Sequence, residues 1–90
     1  MPIPVEIPPP LREHVGGLLS VPAEGVTVAA VLADLAKRHP AIETKIFDKG
    51  KLRPHVNVLV NNEDIRYLDE LETATPEGSI VSLIPAVAGG

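Results

Sequence analysis

Three segments of the chain alternate apolar residues with other residues at a period of two, the pattern of a strand with one buried face. They run from Ile3 to Ile7, from Val56 to Val60 and from Ser79 to Pro85. Pro8 to Pro10 end the first segment, because proline cannot donate a hydrogen bond to a neighbouring strand. These segments predict three long strands.

Two shorter strands are predicted beside them. Leu18 to Val21 follows the Gly16-Gly17 turn and would form a hairpin with the first strand across a long, proline-containing connection. Asp64 to Leu68 follows the turn Asn61-Asn62, where asparagine tolerates a positive φ. Further along, we expect Leu71 to reach back to the core from an irregular segment.

One segment has helical periodicity. Thr27 is placed to cap it, and Pro40 ends it through its effect on His39. The apolar residues that share one face of this helix are Val28, Val31, Leu32, Leu35 and Ala36. Ile42, Ile46 and Phe47 predict one further helical turn, followed by a charged loop from Asp48 to His55.

The order of these elements predicts a two-layer α+β roll, with one main helix packed on a mixed sheet of four to five strands. The two terminal strands would lie side by side at its centre, flanked by the hairpins. This is the ubiquitin-like β-grasp arrangement. We expect residues 1–85 to form the domain and residues 86–90 to form a flexible tail.

Composition restricts the classes of function. The 90 residues carry a net charge of −4 and no block of Lys or Arg, which argues against nucleic acids and anionic membrane surfaces as partners. No apolar run approaches the roughly 20 residues needed to span a bilayer, and the amino terminus lacks the pattern of a secretion signal. Cysteine is absent, so there is no disulfide framework and no thiol nucleophile, and we expect a cytoplasmic protein.

The most informative segment is the Gly-Gly ending. Two glycines without Cβ atoms form a thin strand that can enter a narrow channel. Ordinary termini are loose and polar, whereas the residues before Gly90 are small and mostly apolar: Ala86, Val87, Ala88 and Gly89. We therefore expect these four residues to thread into a partner's active site, with the Gly90 carboxylate as the reacting group. A loose end that finishes in glycines by chance is the alternative.

Other candidate sites are weaker. His14, His39 and His55 have no metal-ligand spacing, so no metal site is predicted. The acidic residues of the second half, among them Glu63, Asp64, Asp69, Glu70 and Glu72, are typical of a solvated rim, part of which could steer a basic partner.

Leu59 and Ile84 lie on the solvent side of their strands by the period-two count. If those strands are neighbours, the two side chains form a small exposed apolar patch beside the tail. Such patches mark interaction sites, so we interpret this one as a docking surface rather than as a chance pairing.

Two stretches of the sequence carry a resemblance to a known family. They are Val56-Asn57-Val58-Leu59-Val60-Asn61-Asn62-Glu63-Asp64-Ile65-Arg66, and Pro76-Glu77-Gly78-Ser79 with the ending Ile84-Pro85-Ala86-Val87-Ala88-Gly89-Gly90. The chain resembles the MoaD/ThiS family of ubiquitin-like sulfur carriers over essentially its whole length, and most of all the branch that serves cysteine biosynthesis.

The resemblance implies a co-substrate and not an enzyme, with no cofactor bound to the chain itself. An adenylating partner that resembles ubiquitin-activating enzymes would use ATP and Mg²⁺ to convert the Gly90 carboxylate to an acyl-adenylate. Sulfide or a persulfide would then displace AMP and leave a thiocarboxylate. In the cysteine branch, a pyridoxal-phosphate enzyme (a cysteine synthase) would supply an aminoacrylate acceptor, and a metal-dependent peptidase would release cysteine.

The resemblance leaves other destinations open. The same carrier could serve as the small subunit of molybdopterin synthase, or could feed thiamin or another thiolated product. A further alternative is a protein modifier that forms isopeptide bonds through Gly90, as ubiquitin does.

Overall fold

The computed structural model describes residues 2–53 and 56–85, and the predicted tail, residues 86–90, lies outside these ranges. Its strands are β1 (Ile3–Glu6), β2 (Ser20–Ala23), β3 (Phe47–Asp48), β4 (Lys51–Leu52), β5 (Val56–Val60), β6 (Glu63–Asp64) and β7 (Val81–Pro85). Its α-helices are α1 (Val28–Arg38) and α2 (Pro40–Ile46), and 3₁₀ helices cover Pro9–Val15, Ile65–Tyr67 and Glu70–Glu72.

The main sheet has five strands in the order β2-β1-β7-β5-β6. β1 and β7 run parallel, with Val5 opposite Val81, and the other neighbours in this sheet are antiparallel. The prediction that the first and last strands lie side by side at the centre is therefore confirmed, as is the α+β class with a mixed sheet.

Helix α1 packs on the inner face of this sheet through the apolar residues that its periodicity predicted. The core residues from α1 are Val28, Val31, Leu32, Leu35 and Ala36. Thr27 caps the helix as predicted, since Thr27 Oγ1 accepts a hydrogen bond of 3.2 Å from the Ala30 N–H. The helix ends at Arg38, and Pro40 occupies the first turn of α2, where its missing N–H costs nothing.

The strand predicted at Leu18 to Val21 is wrong in its boundaries, because β2 covers Ser20–Ala23. Pairing with β1 determines which residues belong to β2, because in this register the side chains of Val21 and Ala23 point into the core. Leu18 and Leu19 precede the strand and are 52% and 65% exposed. The two leucines therefore belong to the loop before β2 and not to the strand.

The charged loop predicted from Asp48 to His55 is also wrong in part, because β3 and β4 form a short hairpin there. Lys49 and Gly50 both have positive φ at its tip, as a two-residue hairpin turn of type I′ requires. Phe47 begins β3 and packs half-buried against the core, so the helical turn predicted to include it ends at Ile46.

The strand predicted from Asp64 to Leu68 is wrong, because β6 contains only Glu63 and Asp64 and a 3₁₀ helix follows. The Asp64 side chain explains the change, since Asp64 Oδ1 accepts a 2.8 Å hydrogen bond from the Arg66 N–H. Such local bonds compete with strand pairing. The resulting turn buries Ile65 in the core.

Candidate functional site

Side chains on the two strands that precede the tail alternate between the faces of the sheet as predicted. Val58 on β5 and Leu83 on β7 face α1 and are buried. Leu59 and Ile84 project from the opposite side, which we call the outer face. The sequence pattern was sufficient here because one face of each strand is entirely apolar and the other is mixed.

Leu59 and Ile84 are diagonal neighbours on the outer face. The register places Leu59 opposite Ser82 and Ile84 opposite Asn57. Ile84 is 45% exposed, as expected of a docking residue, whereas Leu59 is half-buried and so less exposed than predicted. Both line one shallow cavity of about 400 Å³, which we call the outer groove.

The segment after β1 forms another wall of the outer groove. Pro8, Pro9, Pro10 and Arg12 line it together with Leu59 and Ile84. Arg12 is held in place because its Nε donates a 3.0 Å hydrogen bond to the Ile7 carbonyl oxygen. Sequence reasoning used the prolines only to end a strand and missed this role, although a run of three prolines signals a stiff segment.

A carboxylate lies beside the apolar lining of the outer groove. Glu6 on β1 neighbours Ser82 on β7, and the Ser82 hydroxyl donates a 2.9 Å hydrogen bond to Glu6 Oε1. Ser82 is thereby only 9% exposed although it belongs to the outer face. No histidine is among the described residues that line the groove, so this serine has no base of the kind used in nucleophilic catalysis.

Strand β7 ends at Pro85, opposite Val56 and next to Ile84. The residues predicted to thread into a partner, Ala86 to Gly89, and the predicted reacting residue Gly90 lie outside the described part of the chain. The roles assigned to them therefore stay predictions. The structure places only the residues before that segment, of which Ile84 lines the outer groove.

The acidic residues of the second half are exposed, apart from Asp64. Asp64 pairs with Arg66 at 2.8 Å, and hydrogen bonds from the Arg66 side chain and backbone lower the pKa of the Asp64 carboxyl. The side-chain hydrogen bonds to Asp64, together with its negative charge, raise the pKa of the Arg66 guanidinium. Glu63, Asp69, Glu70 and Glu72 lie open to solvent, which agrees with a solvated rim.

Within residues 2–53 and 56–85, no three His, Cys, Asp or Glu side chains come together in a way that could hold a metal ion. His14 and His39 belong to that part of the chain, whereas His55 lies outside it. None of the helices in these ranges has both the length and the apolar composition of a membrane span.

Comparison with known proteins places this geometry in a family. The ThiS family matches residues 5–90. Sulfur carrier protein CysO of Mycobacterium tuberculosis (strain ATCC 25618 / H37Rv) is 44% identical over 93 aligned positions, which cover 100% of both chains.

Solved structures agree in fold. A chain of the Amycolatopsis orientalis BexX/CysO complex superposes with a TM-score of 0.89 at 41% identity, covering 98% of this chain and 99% of that one. The small archaeal modifier protein 1 of Methanosarcina acetivorans gives a TM-score of 0.90 at 32% identity, covering 99% and 96%.

These likenesses confirm the predicted ubiquitin-like β-grasp fold. The relatives are named as carriers and modifiers, which agrees with the expectation that the chain is a co-substrate and not an enzyme. The match spans nearly the whole chain, in sequence and in structure. The chain therefore belongs to the ThiS family of ubiquitin-like proteins.

Proposed function

We propose that this protein is a sulfur carrier whose Gly90 carboxylate is adenylated and converted to a thiocarboxylate that donates sulfur for cysteine biosynthesis. The observation that carries the proposal is the 44% identity to the sulfur carrier protein CysO over the full length of both chains. The Gly89-Gly90 ending supports it, because two residues without side chains fit a narrow active-site channel.

The absence of cysteine fits this chemistry. A protein without a thiol cannot hold sulfur as a persulfide or thioester on a side chain. A thiocarboxylate at Gly90 would hold it on the chain terminus instead. Because a carboxylate is a poor electrophile, a partner must first activate it with ATP and Mg²⁺. Sulfide can then displace AMP and give the thiocarboxylate directly, whereas a persulfide would give an acyl disulfide, from which a second thiol must release the thiocarboxylate by reducing the S–S bond.

The outer groove supports a docking role for Leu59 and Ile84. Both side chains line it, and Ile84 directly precedes Pro85, the last described residue before the tail. A partner that receives the tail in its active site must also contact the surface from which the tail leaves. We assign that contact to the outer groove, for the adenylating enzyme and for the pyridoxal-phosphate enzyme that would accept the sulfur.

In this proposal every catalytic group belongs to a partner. The adenylating enzyme activates Gly90 for conversion to the thiocarboxylate. The cysteine synthase then presents an aminoacrylate, and the sulfur of the thiocarboxylate adds to it. An S-to-N acyl shift then joins cysteine to Gly90 by an amide bond. A metal-dependent peptidase hydrolyses that bond, which releases cysteine and restores the carboxylate.

Protein modification is the second candidate function. The observation that favours it is the likeness to the small archaeal modifier protein 1 of Methanosarcina acetivorans, at a TM-score of 0.90 and 32% identity. A modifier would use the same adenylate but would pass Gly90 to lysines of other proteins. Delivery of sulfur to molybdopterin or thiamin remains a further alternative, since it would need the same thiocarboxylate.

Mass spectrometry of the intact protein tests these candidates. After coexpression with its adenylating and sulfur-donating partners, we expect one sulfur in place of one oxygen, located at the last residue by fragmentation. Incubation with the pyridoxal-phosphate enzyme and activated serine should then give a carrier–cysteine adduct. If a pterin precursor is thiolated and no adduct forms, the cysteine destination is wrong. If sulfur is never found but Gly90 is joined to lysines, the modifier function replaces the carrier function.

A further inference from the structure

All lysines of the chain lie in one short segment. Lys37, Lys45, Lys49 and Lys51 run from the last turn of α1 to β4. Residues 37–53 contain six basic and two acidic side chains, whereas the rest of the sequence contains two basic and ten acidic ones. A protein with a net charge of −4 therefore has one region of opposite sign.

These lysines differ from the arginines in their contacts. Each arginine is engaged: Arg12 and Arg53 donate to backbone carbonyl oxygens, and Arg38 and Arg66 pair with carboxylates. All four lysines are exposed, and among the described residues no carboxylate lies within 4.0 Å of a lysine ammonium group. Their charge is thus available to a partner.

Two of the lysines line a groove on the side of the molecule that carries the α-helices. Lys37 and Lys49 line a cavity of about 610 Å³ between α1, α2 and the β3–β4 hairpin, which we call the lysine groove. Its other polar side chains are Glu43 and Thr44. Its apolar lining consists of Ala29, Ala33, Ala36, Phe47 and Leu71.

The lysine groove combines an apolar floor with a charged rim. Phe47 and Leu71 are half-buried, and Ala33 is exposed on the flank of α1, so an incoming apolar side chain would meet carbon on several sides. The hairpin turn at Lys49 and Gly50 holds one charged wall in a fixed geometry. A pocket for an apolar anchor with a charged rim is typical of peptide and protein docking.

We propose that the lysine groove docks an acidic segment of a partner protein, with one apolar side chain inserted between α1 and the hairpin and carboxylates at Lys37 and Lys49. The charge of the region selects this occupant, because the remaining surface of the molecule is acidic and would repel it. Glu70 and Glu72 flank Leu71, and Glu43 lines the groove as well, so the carboxylates of the partner belong at Lys37 and Lys49.

This surface is separate from the outer groove. Leu59 and Ile84 project from the side of the sheet that faces away from α1, and the two grooves share no lining residue. One partner could bind at the lysine groove while a second partner receives the tail in its active site. The proposal therefore does not rest on the chemistry of Gly90.

A synthetic peptide with one leucine flanked by glutamates serves as the probe, titrated into ¹⁵N-labelled protein. We expect saturable shift changes at the amides of Ala33, Phe47, Gly50 and Leu71. The amides of Leu59 and Ile84 should not move. Binding should weaken as salt rises, since the lysines are exposed.

Matched variants separate the groove from general charge attraction. The double variant Lys37→Gln with Lys49→Gln should weaken binding at least about fivefold, because rim charges steer and hold an acidic partner. Val26→Glu with Tyr67→Glu changes net charge by the same amount at exposed positions outside the groove and should leave binding within about twofold. Ala33→Trp should also weaken binding by filling the groove without a change in charge.

Three results would overturn the proposal. The first is equal weakening by the two double variants, and the second is equal affinity for a peptide in which serine replaces leucine. Either result would mean that the peptide is attracted to the protein by overall charge and that no apolar side chain of the peptide is inserted into the lysine groove. The third is the absence of saturable shifts at the lysine groove, including the case in which the shifts map to the outer groove instead. The amide spectrum of each variant shows whether it is folded, so a loss of binding cannot be confused with unfolding.

Discussion

The Ser82 hydroxyl donates a 2.9 Å hydrogen bond to Glu6 Oε1, although the two residues are 76 positions apart in the sequence. The bond joins β7 to β1 on the outer face, beside the parallel pairing that closes the centre of the sheet. It therefore fixes the position of a carboxylate at the edge of the surface to which we assign docking.

Replacing Ser82 by alanine should lower the free energy of unfolding by about 1 kcal/mol, the usual net value of one hydrogen bond. Urea denaturation measures the change. Ser20→Ala is the matched control, since Ser20 pairs with Glu6 from β2 but is exposed. An equal loss in both variants would show that the Ser82–Glu6 bond adds nothing to stability.

Ile84→Glu should reduce affinity for the adenylating enzyme by on the order of 2 kcal/mol, because it places a charge in a desolvated contact. Leu59→Glu should have a similar effect on binding and, since Leu59 is half-buried, should also destabilise the fold. Isothermal titration calorimetry measures the affinity. Leu19→Glu, at a leucine that is 65% exposed and outside the groove, is the control. Unchanged affinity in the Leu59 and Ile84 double variant would rule out docking at the outer groove.

Deletion of Gly90, or addition of one residue after it, should abolish adenylation and leave the fold intact. The reason is that the proposed reacting group is the Gly90 carboxylate, which lies beyond the strands that form the core. ATP–pyrophosphate exchange by the cognate activating enzyme reports the adenylation step, and circular dichroism reports the fold. Normal exchange with either variant would refute the assignment of Gly90.

The carboxyl of Asp34 should titrate below its ordinary pKa of 3.8. It accepts a 2.8 Å hydrogen bond from the Glu24 N–H, and the Arg38 guanidinium lies 2.7 Å away; the bond from Glu24 is the larger cause. A lowered pKa stabilises the fold above the unfolded value, and this stabilisation is lost as the pH falls through the folded value.

Asp34→Asn should therefore be less stable than the parent protein at neutral pH, and the difference should shrink as the pH falls below about 4. Urea denaturation across that range measures the difference, and ¹³C NMR of the carboxyl group measures the pKa directly. A titration of Asp34 at or above 3.8 would contradict the geometry between α1 and Glu24.

Sequence patterns predicted the long elements because burial alone determines them. The alternation in Val56–Val60 and the spacing from Val28 to Leu35 each have one consistent arrangement with a buried face. The pairing of β1 with β7 was predicted from the order of elements, since a sheet with one covering helix leaves few arrangements of its strands.

The short elements could not be predicted, because each is too short to carry a periodic pattern and local side-chain bonds such as that of Asp64 can end a strand. The hairpin at residues 47–52 has two residues in each strand, too few for a period. Gly25 gave no signal of its importance, yet a Cβ there would lie 2.6 Å from the Val31 nitrogen. Its neighbour in space, Thr75, donates to the Gly25 carbonyl oxygen from 50 positions away.

The candidate site was predicted only in part, because some of its residues come together only when distant segments of the chain pack. Leu59 and Ile84 were found because each strand alternates locally. The wall made by Pro8, Pro9, Pro10 and Arg12 depends on how the chain turns after β1, which no local pattern encodes. The lysine groove combines residues from α1, α2, the hairpin and the segment around Leu71, so only the packed structure reveals it.

The parallel pairing of Val5 with Val81 has a consequence for how the protein is made. A nascent chain released before β7 lacks the strand that separates β1 from β5, and both would keep open edges. The five-stranded sheet therefore cannot close before the ribosome has delivered β7, and pairings so distant in sequence form more slowly than local ones. We therefore expect chains that end before β7 to be cleaved by proteases under conditions in which the protein that contains β7 is resistant.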